Sequence, residues 1–200
     1  MPRIFLSFRK PDSRWMRDRV YRALSERLGT DAIFKSGQSI PPGADFAEIL
    51  RRQAAECEVM CVLIGPGWLD LRGEDGVRLL DRDHDWVRVE IATALRAGNR
   101  VVPVLLGDAT SLPDASALPH EIAELARLQF LRVPETHLPD GLVHLGDELT
   151  ALLSDTDPAD GPGLSTARAS DPEPSMTMTA HVSGGGSAYQ AARDQTIRLA

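Results

Sequence analysis

Between residues 3 and 153 the apolar positions switch between two spacings. Short, nearly unbroken apolar runs predict strands at Ile4 to Phe8, Asp31 to Phe34, Val59 to Ile64, Val101 to Leu106 and Gln129 to Leu131. Val59 to Ile64 has the continuous character of a strand buried on both faces of a parallel sheet. Between these runs, apolar residues recur three and four positions apart, which places them on one helix face. Ser13 to Leu28 aligns Met16, Val20, Ala23, Leu24 and Leu28 and is closed by Gly29. Asp45 to Ala55 aligns Phe46, Ile49, Leu50 and Ala54, and Trp86 to Ala97 is ended by Gly98. A helix near Pro119 to Leu125 and a closing helix from Leu142 to Leu153 complete the set.

Strands alternating with helices predict right-handed crossovers onto a parallel sheet. Five strands at this spacing predict an α/β domain, a flavodoxin-like doubly wound five-stranded parallel sheet, over residues 1–153. Pro103 removes one ladder donor, so the fourth strand is expected near an edge or a bulge. Two connections are long, Lys35 to Ala44 and Gly65 to Asp85, and long loops in such domains are usually functional or mobile. After residue 153 the pattern stops. Residues 154–187 are mostly Asp, Pro, Gly, Ser, Thr and Ala, a composition too poor in large apolar side chains to offset ordering entropy, so they read as a flexible linker. Residues 188–200 recover Tyr189, Ile197 and Leu199 among charges of both signs and read as a short docking segment for a sensor protein.

The 200 residues are 42% hydrophobic, enough for one well-buried domain. The net charge of −7 argues against nucleic acid or an anionic membrane surface as the partner, because both need a basic face. No apolar run approaches the ~20 residues that span a bilayer, and the first residues do not form a signal peptide, so a cytoplasmic location is expected. The chain holds 2 cysteines and 5 scattered histidines. Zinc takes about four ligands, and beyond Cys57 and Cys61 no second Cys or His pair stands at ligand spacing, so no metal is expected.

Candidate chemistry centres on Asp85-Trp86-Val87-Arg88-Val89-Glu90-Ile91. Asp85 is an N-cap candidate. Trp86 and Glu90, four apart, can form one wall. Val87, Ile91, Ala94 and Leu95 make a separate apolar stripe, which leaves Glu90 either a solvated surface glutamate or a functional carboxylate. Several standard sites fail. A phosphate-accepting regulator needs an acidic pair after the first strand, where this chain has Arg9-Lys10, and an Asp ending the third, where it has Gly65-Pro66. There is no P-loop, dinucleotide fingerprint or nucleophile elbow.

Ligands of open α/β sheets bind outside the carboxyl ends of the strands, where strand order reverses. Arg9-Lys10, the Lys35–Ala44 loop, Gly65-Pro66-Gly67-Trp68 and the helix start with Trp86 and Glu90 all reach that edge. Arg9 and Lys10 suit a pyrophosphate, or are surface charges. Trp68 either joins Trp86 against a nicotinamide or adenine ring or packs in the core. A lone carboxylate can stabilise positive charge at a ribose carbon.

These segments together resemble a bacterial TIR domain: Ile4-Phe5-Leu6-Ser7-Phe8-Arg9-Lys10, Ile33-Phe34 with Ser39-Ile40-Pro41-Pro42-Gly43, Val62-Leu63-Ile64-Gly65-Pro66-Gly67-Trp68-Leu69, Asp85 to Ile91, and Val101 to Leu105. The resemblance spans residues 3 to 153. It implies the same flavodoxin-like sheet and an NAD+ glycohydrolase of the kind that cuts the nicotinamide–ribose bond, giving ADP-ribose or a cyclic isomer. NAD+ is then substrate, with no cofactor. It implies Glu90 as the catalytic glutamate, Trp86 as the nucleotide-contacting tryptophan, Arg9 as the strand-end arginine and Lys35–Ala44 as the mobile loop; Lys10, Trp68, Ser36 and Ile40 are further candidate substrate contacts. Many relatives carry Asp at Ser36, a departure that bears on affinity or assembly geometry. Activation by TIR–TIR self-association and a role in anti-phage signalling are implied too. The alternative within the family is a non-catalytic scaffold acting by self-association alone.

Overall fold

The central strands form where both faces can be buried. In the computed structural model, which describes residues 2–12, 14–35 and 40–155, strand β1 (Ile4–Phe8) is buried at every position. Its alternate side chains serve two cores. Ile4, Leu6 and Phe8 meet Met16, Val20 and Leu24 of helix α1 (Arg14–Leu28) and Leu145, Leu149 and Leu153 of helix α4 (Leu138–Ser154). Phe5 points the other way, into a core with Leu50 and Ala54 of helix α2 (Phe46–Glu56) and Val87, Ile91 and Ala94 of helix α3 (Trp86–Ala97). Ser7 follows Phe5 on that second face by the two-residue strand period.

Strands β2 (Ile33–Lys35), β3 (Val59–Ile64), β4 (Arg100–Leu106) and β5 (Leu131–Val133) complete an all-parallel sheet in the order β2-β1-β3-β4-β5. This is the doubly wound α/β fold expected. The order reverses between β1 and β3, whose register pairs Ser7 with Val62 and Phe8 with Leu63.

Pro103 does not mark an edge. β4 lies between β3 and β5. Its pairing with β5 begins at Val104, one residue past the proline. On that side the proline stands just outside the ladder, where a missing donor removes nothing. β2 starts later than expected because Thr30–Ala32 forms a 3₁₀ turn. β5 is displaced from Gln129–Leu131 to Leu131–Val133. Phe130 supplied apolar character to the earlier window, yet it is exposed. The expected helix near Pro119 is a 3₁₀ run, His120–Arg127, whose buried residues Ile122 and Leu125 are three apart, matching three residues per turn. α4 begins four residues early. Pro139 sits in its first turn, where a proline loses no helical hydrogen bond. Gly141 packs against the Val133 backbone so closely that a Cβ would lie 3.2 Å from it.

The linker from residue 156, the docking segment at 188–200 and Ser36 in the loop after β2 lie outside the described residues.

Candidate functional site

At the carboxyl end of β1, beside the point of strand reversal, lies a cleft of about 230 Å³. Its lining includes Arg9, Lys10, Phe46, Leu79, Trp86 and Glu90. Wider hollows of about 610 and 450 Å³ flank the edge strand β2, away from this switch point.

Helix α3 is placed with two caps. Asp85 accepts from the Arg88 N–H at 2.9 Å. Gly98 adopts φ 76° at the other end, a left-handed conformation that closes the last turn. Arg9, at the end of β1, fixes where this helix starts. Its Nη1 and Nη2 both donate to the Asp85 carboxylate at 2.9 Å, and its Nε donates to the Trp68 carbonyl at 3.1 Å. The pair is almost wholly buried, with side-chain exposures of 3% and 9%. Arg9 therefore borders the cleft with its guanidinium already engaged by Asp85. Its guanidinium makes a scaffolding contact that joins β1, the loop after β3 and α3.

Glu90 is 2% exposed, which corrects its expected place on a helix surface. Val87, Glu90, Ile91 and Ala94 are all buried. The steps from 87 to 90 and from 90 to 94 are three and four residues, so Glu90 stands within the apolar stripe rather than beside it. A carboxylate buried there needs hydrogen-bond donors. Ser7 Oγ donates to Glu90 Oε2 at 2.6 Å.

Trp86, one turn before Glu90, is half-buried. Phe46 meets its ring edge-on, with centroids 5.1 Å apart and planes at 82°. The Arg51 guanidinium lies 5.6 Å from the Trp86 ring centre. Trp86 thus belongs to an aromatic wall with a cation already against it.

Trp68 is fully buried in the α2–α3 core and does not line the cleft. It reaches the site through Arg9, whose Nε donates to its carbonyl and whose guanidinium lies 5.7 Å from its ring centre. Ile40 packs against the same core and is likewise absent from the cleft lining. Lys10 is exposed at the rim. Its loop is tied down by Asp12, whose carboxylate accepts from the Gly65 N–H at 2.7 Å and the Gly67 N–H at 3.1 Å. Burial pushes the Asp12 carboxyl above its usual range, against the pull of those two N–H groups and of Arg9.

The structure brings Arg9, Lys10, Trp86 and Glu90 around one cleft and leaves Trp68 and Ile40 beside it. Sequence reasoning missed Phe46 as a site residue, Ser7 as a partner of Glu90, and Asp12 as the loop anchor. Ser7 had a signal: it is the one polar residue in an otherwise apolar strand. Among the described residues, no group of three His, Cys, Asp or Glu could hold a metal ion. Among them, too, no helix is long and apolar enough to cross a membrane.

Chemically, an aromatic wall with a buried carboxylate one helical turn away suits a flat cationic ring joined to a carbon that gains positive charge as the ring departs.

A family model described as "TIR domain" matches residues 4–140. Among solved structures, the TIR domains of the activated Roq1 resistosome directly recognising the pathogen effector XopQ are similar to this chain. They share 14% identity at a TM-score of 0.57, over 73% of this chain and 98% of that one. At this identity the likeness is one of fold. No curated protein sequence matches the chain.

Proposed function

Because this chain belongs to the TIR domain family, we propose that it is an NAD+ glycohydrolase. The observation that carries the reading is Glu90: a carboxylate 2% exposed at the end of a cleft walled by Trp86 and Phe46. A pure scaffold has no use for a carboxylate held there.

The nicotinamide ring of NAD+ is a pyridinium, and it stacks on Trp86 by cation–π attraction. The C1′–N bond breaks with its electron pair going to the ring nitrogen, so nicotinamide leaves neutral and needs no general acid. The ribose becomes oxocarbenium-like, and Glu90 stabilises that charge. One carboxylate is enough, unlike the pair that flanks an ordinary glycosidic bond. Water then attacks C1′ and loses a proton, giving ADP-ribose. Attack by a nitrogen of the adenine instead gives a cyclic isomer.

The cleft, about 230 Å³, falls below the ~300–1,000 Å³ common for ligand pockets, so on this reading it takes only the nicotinamide riboside half. The adenosine half needs a further wall, and a second copy of the domain supplies it. The similar TIR domains of Roq1 belong to an activated resistosome, which favours self-association here as well. A head-to-tail contact of this kind produces filaments or rings. Depletion of NAD+ in antiviral defence is the role such a switch would serve.

The test is nicotinamide release from NAD+ as enzyme concentration rises from nanomolar to tens of micromolar. Specific activity should climb steeply, in step with particle size by light scattering. A constant specific activity from a protein that stays monomeric contradicts assembly. No release from an assembled protein contradicts the enzyme.

A further inference from the structure

We propose that Ser7 is the positioning residue for Glu90: its hydroxyl fixes the carboxylate in the orientation and charge state the cleft requires. This rests on the reading of Glu90 as the group that faces the ribose.

Ser7 is fully buried, as are all five residues of β1. A hydroxyl in such a strand is costly unless it is bonded, and packing alone would be served better by a small apolar residue. Its Oγ–Glu90 Oε2 distance of 2.6 Å is in the short range of hydroxyl-to-carboxylate hydrogen bonds. The strand is rigid. Ser7 lies within the β1–β3 ladder, paired with Val62, so the donor is anchored to the sheet rather than to a loop. The acceptor is on a helix whose start is clamped to the same strand, two residues on, by Arg9 and Asp85. Two contacts from one end of β1 thus set both the placement of α3 and the aim of its carboxylate.

A hydroxyl donor favours the ionised form of the carboxylate that accepts it. The other charged groups lining the cleft are Arg9, Lys10 and Asp85. From α2, Arg51 lies over Trp86. On α3, Arg88 is turned toward Asp83 and Glu121. A Ser7 substitution alters none of these side chains.

Ser7→Ala should lower kcat about tenfold at neutral pH, leave the KM for NAD+ within about twofold, and move the acid limb of the kcat profile up by about one pH unit. Ser7→Thr, which keeps the hydroxyl, should restore most of the rate. A second readout needs no substrate. In protein with 13C-labelled glutamate carboxyls, the resonance absent from Glu90→Gln should titrate about one pH unit higher in Ser7→Ala than in wild type. If Ser7→Ala does not fold, Ser7→Cys, close in volume and a weak donor, should shift the same resonance in the same direction.

Wild-type kcat and pH profile in folded Ser7→Ala, or an unmoved Glu90 resonance, overturns the positioning role. A moved resonance in a protein that cleaves no NAD+ overturns the proposed activity and leaves the Ser7–Glu90 coupling standing.

Discussion

Replacing Glu90 with Gln should reduce NAD+ cleavage at least about 100-fold, while the protein keeps its fold. The magnitude follows from losing one preorganised electrostatic contact to charge that develops only in the transition state, typically 10²–10³ in rate, or about 2.7–4 kcal/mol. The fold survives because Gln matches Glu in volume and its amide oxygen can still accept from the Ser7 hydroxyl, now 2.6 Å from Oε2. What is lost is the negative charge. KM should change little, because the ground-state contacts of Trp86 and Phe46 remain in place. Initial rates of nicotinamide release, beside circular dichroism of the same preparations, measure both halves of the prediction. Wild-type turnover by Glu90→Gln would remove Glu90 from the chemistry.

The second large effect concerns stability. Asp85→Ala should destabilise the domain by about 3–5 kcal/mol, because it leaves the Arg9 guanidinium buried without its counter-charge. The same change removes the α3 N-cap, typically worth ~1 kcal/mol. For a domain of this size the melting temperature should fall by roughly 6–20 °C. The double variant Arg9→Leu with Asp85→Ala should recover part of that loss, because no unpaired charge then remains in the core. Thermal melts of the two single variants and the double variant give the coupling directly. An Asp85→Ala protein melting within ~2 °C of wild type would mean that the pair contributes little and that α3 is held by its apolar face alone.

These two predictions draw on contacts of very different visibility. The elements were legible where local pattern decides them. β3 is an apolar run of six residues and β1 one of five interrupted only by Ser7, with no breaker in either. α3 carries both a capping Asp85 and a terminal Gly98. Each such signal needs only neighbours in sequence. Boundaries failed where tertiary packing overrides local appearance. Pro139 and Gly141 look like helix breakers. One falls in the first turn of α4, and the other is the small residue that lets this helix approach Val133.

The site divides in the same way. Trp86 and Glu90 are visible as an i, i+4 pair on one helix. That Glu90 faces inward was not, because its partner Ser7 is 83 residues away in sequence. Arg9 and Asp85 are 76 apart. Arg9 stands at a strand end among candidate ligand contacts, and nothing local marks it as spoken for. Trp68 shows the limit from the other side. Its place in the loop after β3 fits a binding indole and a core indole equally well, and only burial separates them.

On the proposed reading, the Glu90 cleft breaks the nicotinamide–ribose bond once copies of the domain assemble. The most direct measurement is mass spectrometry of the products formed from NAD+ by wild-type protein at concentrations where light scattering detects assembly, with Glu90→Gln run alongside. The predicted result is nicotinamide and ADP-ribose, linear or cyclic, in equal amounts from wild type, and unchanged NAD+ from the variant. Intact NAD+ with fully assembled wild-type protein, or the same products from both, would contradict it.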